Sequence, residues 1–322
     1  MDIVFIIGGL VLLILGGEFL LKGAVSVSLK LQIPKSVIGM TVVSFATSAP
    51  ELIVSIQSAL ENHADIALGN VVGSNIANLG FVLGVTLLFT KMDIGRSFAK
   101  IDWPIMVLAS VTLFFFLYFD GGIDRFEGLI FILLLLIYLF IYLSYYKKSS
   151  FYQRDLADGI VVEEEIEEEG IGSVKTLLFL GTGGLALWGG SELLIDGAVN
   201  LATTLGVSER IIGITVISIG TSIPELAASL IAVYRKERAI SLGNLIGSNI
   251  FNIFAVLGIT SMVHPFELRD SRLMDVDILW MLGFAFAILP LIYAANRRKL
   301  AWKEGVVLLV AYIVFVYTTV NS

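Results

Sequence analysis

Glu51 and Glu225 are the acidic residues whose surroundings make them chemically informative. Each follows a hydroxyl pair and a proline, in Ala46-Thr47-Ser48-Ala49-Pro50-Glu51 and in Gly220-Thr221-Ser222-Ile223-Pro224-Glu225, within a run apolar enough to cross a bilayer. An ionised side chain at mid-membrane costs about 2.5–3.5 kcal/mol on insertion scales. Helix packing has no need of a carboxylate, so keeping one twice points to a polar site. Residues four apart share a helix face. Thr47, Glu51 and Ser55 form one polar stripe and Thr221, Glu225 and Ser229 its counterpart, while Asn70, Ser74 and Asn78, with Asn244, Ser248 and Asn252, form two more. Proline removes a backbone donor and frees a carbonyl. Hydroxyl, amide, carboxylate and freed carbonyl oxygens are ligands for hard cations such as Ca2+, Mg2+ and Na+. No His or Cys interrupts the stripes, which argues against zinc, copper or iron. Two formal charges suit one divalent cation or two or more monovalent ones.

These stripes belong to a duplication. Residues 39–86 recur from residue 213 at a constant spacing of 174, with 23 of 48 positions identical, and the identities favour Ser, Thr, Asn, Gly, Pro and Glu. Gly16, Glu18 and Gly23 match Gly190, Glu192 and Gly197 in the same register, and Glu127-Gly128 recurs as Glu304-Gly305. The glycines Gly39, Gly69, Gly73 and Gly84 are read as close-packing positions, because small residues let membrane helices approach.

The elements that must position the stripes are membrane helices. Of the 322 residues 57% are hydrophobic and 15% charged, with a mean hydropathy of +0.91, outside the range of a soluble globular domain. Spans are predicted near 3–21, 36–59, 66–90, 103–119, 126–146, 174–199, 209–234, 240–263, 276–295 and 303–320, each long enough for a hydrocarbon core of about 30 Å. The first run lacks a basic leader and is read as a retained helix. The expected fold is an all-α polytopic membrane protein, ten transmembrane helices arranged as two five-helix repeats. Residues 1–146 form the first, 147–172 an acidic linker and 173–322 the second. Five is odd, so the second repeat must enter the membrane from the opposite side, and inverted repeats bring Glu51 and Glu225 to a shared central depth.

Of the 21 Lys and Arg residues, 17 fall in the loops after odd-numbered spans. Basic residues accumulate on the cytoplasmic side, so both termini are expected outside, with the chain in a cell inner (plasma) membrane. The net charge of −7 comes largely from the run of glutamates within 163–169, read as a solvated linker, with recruitment of cations to the cytoplasmic mouth as the minor alternative; no nucleic-acid partner is expected. There is no cysteine. Glu18, with Lys22 one turn on, is read as half of an interfacial ion pair, Asp102 and Asp275 as helix caps, and His63 and His264 as loop residues without a role.

The motif Gly-Thr-Ser-x-Pro-Glu at 220–225, with Ala46 for the glycine in the first copy, and Gly-Asn-x-x-Gly-Ser-Asn-Ile-x-Asn at 69–78 and 243–252 resemble the cation/calcium antiporters, in particular the sodium/calcium exchanger branch with paired alpha repeats. The resemblance covers all ten predicted spans. It implies cation sites between helices two, three, seven and eight, and alternating access in which helices one and six slide across them. Carried over by position, it implies Thr47, Ser48, Glu51, Ser74 and Asn78 as ligands from the first repeat and Thr221, Ser222, Glu225, Ser248 and Asn252 from the second. Asn252 departs from the aspartate of many relatives, leaving two carboxylates.

The expected function is therefore secondary antiport of Ca2+ against Na+, both bound as substrates, with no cofactor, no enzymatic activity and no obligatory protein partner besides the lipid bilayer. Ca2+/H+ exchange through the same glutamates is the close alternative. A passive cation channel could use similar oxygens but would not require an inverted duplication.

Overall fold

The computed structural model describes residues 2–31, 33–95, 98–145, 172–205, 220–268, 272–294 and 299–321. The glutamate run of the linker and the first half of the seventh predicted span lie outside them. In chain order the helices are α1 (Asp2–Leu31), α2 (Lys35–Thr47), α3 (Ala49–Leu60), α4 (Ala64–Phe89), α5 (Phe98–Asp120), α6 (Arg125–Tyr145), α7 (Ser173–Thr204), α8 (Ile223–Tyr234), α9 (Arg238–Val263), α10 (Leu273–Ala294) and α11 (Trp302–Asn321). Among the described residues eight are long and apolar enough to span a membrane. A ninth span arises if α2 and α3, which meet at a 42° bend, count as one. Outward-facing Ile14, Leu133, Phe140 and Val310 are exposed, as lipid-facing side chains are.

Centrality separates the helices. The most apolar windows of α4 and α9 are 78% and 83% buried, against 28% for α1 and 22% for α7. The site-bearing helices are the core, and α1 and α7 pack alongside it. Glycine at every seventh position explains how those two meet. A Cβ at Gly9 would lie 2.7 Å from the Gly190 carbonyl oxygen, one at Gly16 would lie 2.9 Å from that of Gly183, and one at Gly197 would lie 2.8 Å from that of Asp2. Partner numbers fall as α1 numbers rise, so the pair is antiparallel with backbones in direct contact.

Equivalent features of the two halves recur, 174 residues apart up to Met92 and Phe266 and 177 apart from Gly122 and Lys299 onward. Strand β1 (Met92–Asp93) pairs antiparallel with β4 (Lys299–Leu300), and β2 (Gly122–Ile123) with β3 (Phe266–Glu267). Met92 faces Leu300 in one clasp and its equivalent Phe266 faces Ile123 in the other, so each clasp ties a loop of one half to the other half. Gly84 abuts Gly305 as Gly258 abuts Gly128. The Asp124 amide donates to Glu127 Oε2 at 2.8 Å, as the Ala301 amide donates to Glu304 Oε2 at 2.9 Å, capping α6 and α11 alike.

Several local readings need correction. Helix α1 runs 30 residues, about 45 Å, past Lys22 where its predicted span stops near residue 21, because Gly23 and the turns beyond it keep packing on α7. Glu18 is thus mid-helix, and its partner is Arg235 (2.6 Å), not Lys22. Asp102 makes no side-chain cap and instead accepts a hydrogen bond from Tyr142. Wide π-turns, unforeseen in the sequence, interrupt α2 at Gly39–Val43, α4 at Asn78–Val82 and α9 at Asn252–Leu257. The close-packing reading holds at Gly39, where a Cβ would lie 2.5 Å from the Ile240 carbonyl oxygen, and at Gly84, but not at Gly69 or Gly73, where a Cβ would meet nothing closer than 3.9 Å.

Candidate cation site

The prolines set the site's frame. Helix α2 ends at Thr47, Ser48 takes φ −87° and ψ 3°, and α3 restarts with Pro50 in its first turn. Ser222 takes φ −92° and ψ 7° before α8, which has Pro224 in its first turn. Proline is tolerated there because the amides of a first turn have no intrahelical partner. Glu51 and Glu225 fall in those same first turns, where the positive end of the helix dipole favours a carboxylate. The residue that breaks the helix therefore also supplies part of the field that lets a glutamate persist at this depth.

Hydrogen bonds join the two halves around the glutamates. Thr47 Oγ1 donates to Asn244 Oδ1 (3.1 Å) and shares a hydrogen bond with Ser248 Oγ (3.3 Å), and Ser48 Oγ donates to Glu225 Oε1 at 3.4 Å. Ser44 Oγ donates to the Asn244 carbonyl at 3.0 Å. Asn70 Nδ2 reaches Ser55 Oγ at 3.2 Å, and the equivalent Asn244 Nδ2 reaches Ser229 Oγ at 3.4 Å. Ser48 immediately precedes α3, whose first turn holds Glu51, so its reach to Glu225 ties the two glutamates to one centre.

What these bonds leave over defines the chemistry. Glu51 and Glu225 are both 0% exposed. Among the described residues neither has a cationic partner, and both Glu51 carboxylate oxygens, Glu225 Oε2, Ser74 Oγ, both Asn78 amide atoms, Ser222 Oγ and Asn252 Oδ1 have no hydrogen-bond partner. Buried polar atoms are nearly always paired, so a cluster of unpaired oxygens around two uncompensated carboxylates is suited to desolvated cations.

All but one of the sequence-predicted residues are buried. Thr47, Ser48, Glu51, Ser74, Asn78, Ser222, Glu225, Ser248 and Asn252 are all at most 3% exposed. Thr221 is in the same turn as Ser222 but only half-buried. Missed were Ser44, Asn75, Asn249 and Ser191. Ser191 on α7 donates to the Gly220 carbonyl at 2.9 Å, the carbonyl that Pro224, four residues on, cannot satisfy. That proline was the signal that could have revealed it.

The fold and the site together define a polytopic membrane protein in which two sealed carboxylates, each in the first turn of a helix, sit among side-chain hydroxyl and amide groups. The family model described as sodium/calcium exchanger protein matches residues 1–144 and 175–321, and the chain belongs to that family. It is 34% identical to the putative antiporter CaxA of Alkalimonas amylolytica, over 99% of this chain and 98% of that protein. It is 29% identical to the sodium/calcium exchanger MaX1 of Methanosarcina acetivorans, over 95% of each. Among solved structures it is similar to the sodium-calcium exchanger NCX_Mj soaked with zero Na+ and Ca2+, with a TM-score of 0.80 and 25% identity, covering 99% of this chain and 98% of that one.

Proposed function

We propose that this antiporter exchanges Ca2+ for Na+ by alternating access, with Glu51 and Glu225 as ligands used by both ions in turn. The observation that carries the reading is the pair of fully buried carboxylates without counter-charge, set among unpaired hydroxyl and amide oxygens. Their charge must be balanced whenever the site is closed, and one Ca2+ or two Na+ would balance it. A site that is closed only when neutralised obliges exchange instead of leak. The ligands are Thr47, Ser48, Glu51, Ser74 and Asn78 with Thr221, Ser222, Glu225, Ser248 and Asn252, of which Thr221 contributes from the least enclosed position.

Ten spans in two inverted five-helix repeats, 1–146 and 173–322 around the linker 147–172, accommodate the recurring clasps and caps. The excess of basic residues in the loops after odd-numbered spans supports both termini lying on the outer face of the inner membrane. The glycine-lined contact of α1 with α7 suits a pair that moves as one body across α3 and α8. The test is 45Ca2+ uptake by proteoliposomes under imposed ion gradients. Uptake driven by an outward Na+ gradient at equal pH is expected. Uptake driven by a pH gradient without Na+ would replace Na+ by H+, and uptake without any counter-ion would make the protein a channel.

A further inference from the structure

Asn75 on α4 is 1% exposed, one residue past Ser74, and outside the four-residue stripe that contains Asn70, Ser74 and Asn78. Its Nδ2 donates to the main-chain carbonyl of Asn249 on α9 at 3.3 Å and lies 3.8 Å from Met281 Sδ on α10. A carbonyl oxygen and a thioether sulfur can only accept. They fix which end of the Asn75 amide is nitrogen, so Oδ1 must be the end turned toward Asn252. Asn252 Nδ2 donates to that oxygen at 3.1 Å. Asn252 Oδ1 is then the atom left over, buried without a hydrogen-bond partner. The polarity of this chain of amides starts from a backbone group that cannot be reversed.

The other half has no equivalent. Asn249 is the counterpart of Asn75 at the 174-residue spacing, but its Nδ2 is turned back onto the Leu245 carbonyl of its own helix at 2.7 Å, and neither amide atom of Asn78 has a partner. Of the two symmetry-related asparagines, Asn252 is held in one orientation and Asn78 is not.

We propose that Asn75 is a positioning residue of the transport site: it holds the Asn252 amide with its oxygen presented to the cation, and it restricts position 252 to a side chain that donates toward Asn75. The second clause gives a physical reason for the amide at 252. An ionised carboxylate there would set acceptor against acceptor at the Asn75 oxygen.

The proposal rests on the transport-site reading above and is tested by a double-mutant cycle. Equilibrium 45Ca2+ binding to the purified protein is measured for wild type, Asn75→Ala, Asn252→Ala and the double variant, with Glu225→Gln as reference and thermal unfolding of each without Ca2+. Asn75→Ala should weaken Ca2+ binding about 3- to 10-fold, the worth of one ordered hydrogen bond, and should change nothing further on the Asn252→Ala background. An equal loss on both backgrounds, or none on either while Glu225→Gln abolishes binding, overturns the role of Asn75 and leaves the site intact. Wild-type binding by Glu225→Gln overturns the site reading itself. If Asn75→Ala fails to fold, Asn75→Leu, which fills the volume without the amide, carries the same comparison.

Discussion

Replacing Glu51 by glutamine is the perturbation in which the buried charge gives opposite signs for ion binding and for stability. The substitution is nearly isosteric, and Ser74 beside it can accept a hydrogen bond from the new amide. A glutamine keeps an oxygen that can accept from the same neighbours and matches the glutamate in volume, so the fold should tolerate the change. Removing one member of a buried charge pair costs about 2–5 kcal/mol, a factor of about 30 to 5,000 in Ca2+ affinity. Coulomb energy scales with the charge of the ion, so Na+ should lose about half as much, about 5- to 70-fold. Without ions, the wild type keeps two carboxylates buried with no counter-charge, and the variant keeps one. Its ion-free thermal midpoint should therefore be higher than wild type, while the upward shift that Ca2+ gives the wild type should largely vanish. Thermal unfolding with and without Ca2+, beside 45Ca2+ exchange in proteoliposomes, reads both signs. Near wild-type exchange, or an undiminished Ca2+-induced shift, would refute the assignment of Glu51 as a ligand.

Three further outcomes are expected. Because the natural chain has no cysteine, His63→Cys and Lys91→Cys, at opposite ends of α4, give clean labels. An impermeant maleimide outside intact cells should reach position 63 and not 91, and the reverse would invert the proposed orientation. Gly16→Val would place a Cβ 2.7 Å from the Leu187 amide nitrogen and should destabilise the α1–α7 contact by about 1–3 kcal/mol, lowering both the thermal midpoint and flux; unchanged values would show that the contact yields easily. Ser191→Ala should cost about 1–3 kcal/mol by stranding the Gly220 carbonyl. Adding Pro224→Ala, which restores an amide able to reach that carbonyl, should recover part of the stability, and additive losses would count against the capping role of Ser191.

The amino-acid sequence by itself determined that a duplicated membrane chain breaks its helices at Pro50 and Pro224 and keeps a glutamate after each break. Those features follow from local covalent and helical geometry: a missing N–H, a spacing of four, a spacing of 174. Which long-range partner each group meets is not a periodic property, and tertiary structure decided it. Glu18 has Lys22 one turn away on its own helix, yet pairs with Arg235 of the other half, because the packing of α1 carries it there. Helix α1 outruns its apolar pattern because contact with α7 continues past Lys22. The π-turns at Asn78 and Asn252 leave no mark in propensity. Asn75 falls off the polar stripe and became visible only when the Asn249 carbonyl fixed the direction of its amide. Sequence names the oxygens that could bind a cation; the folded hydrogen-bond pattern decides which of them, such as both Glu51 oxygens and Asn252 Oδ1, are left without a partner in the protein.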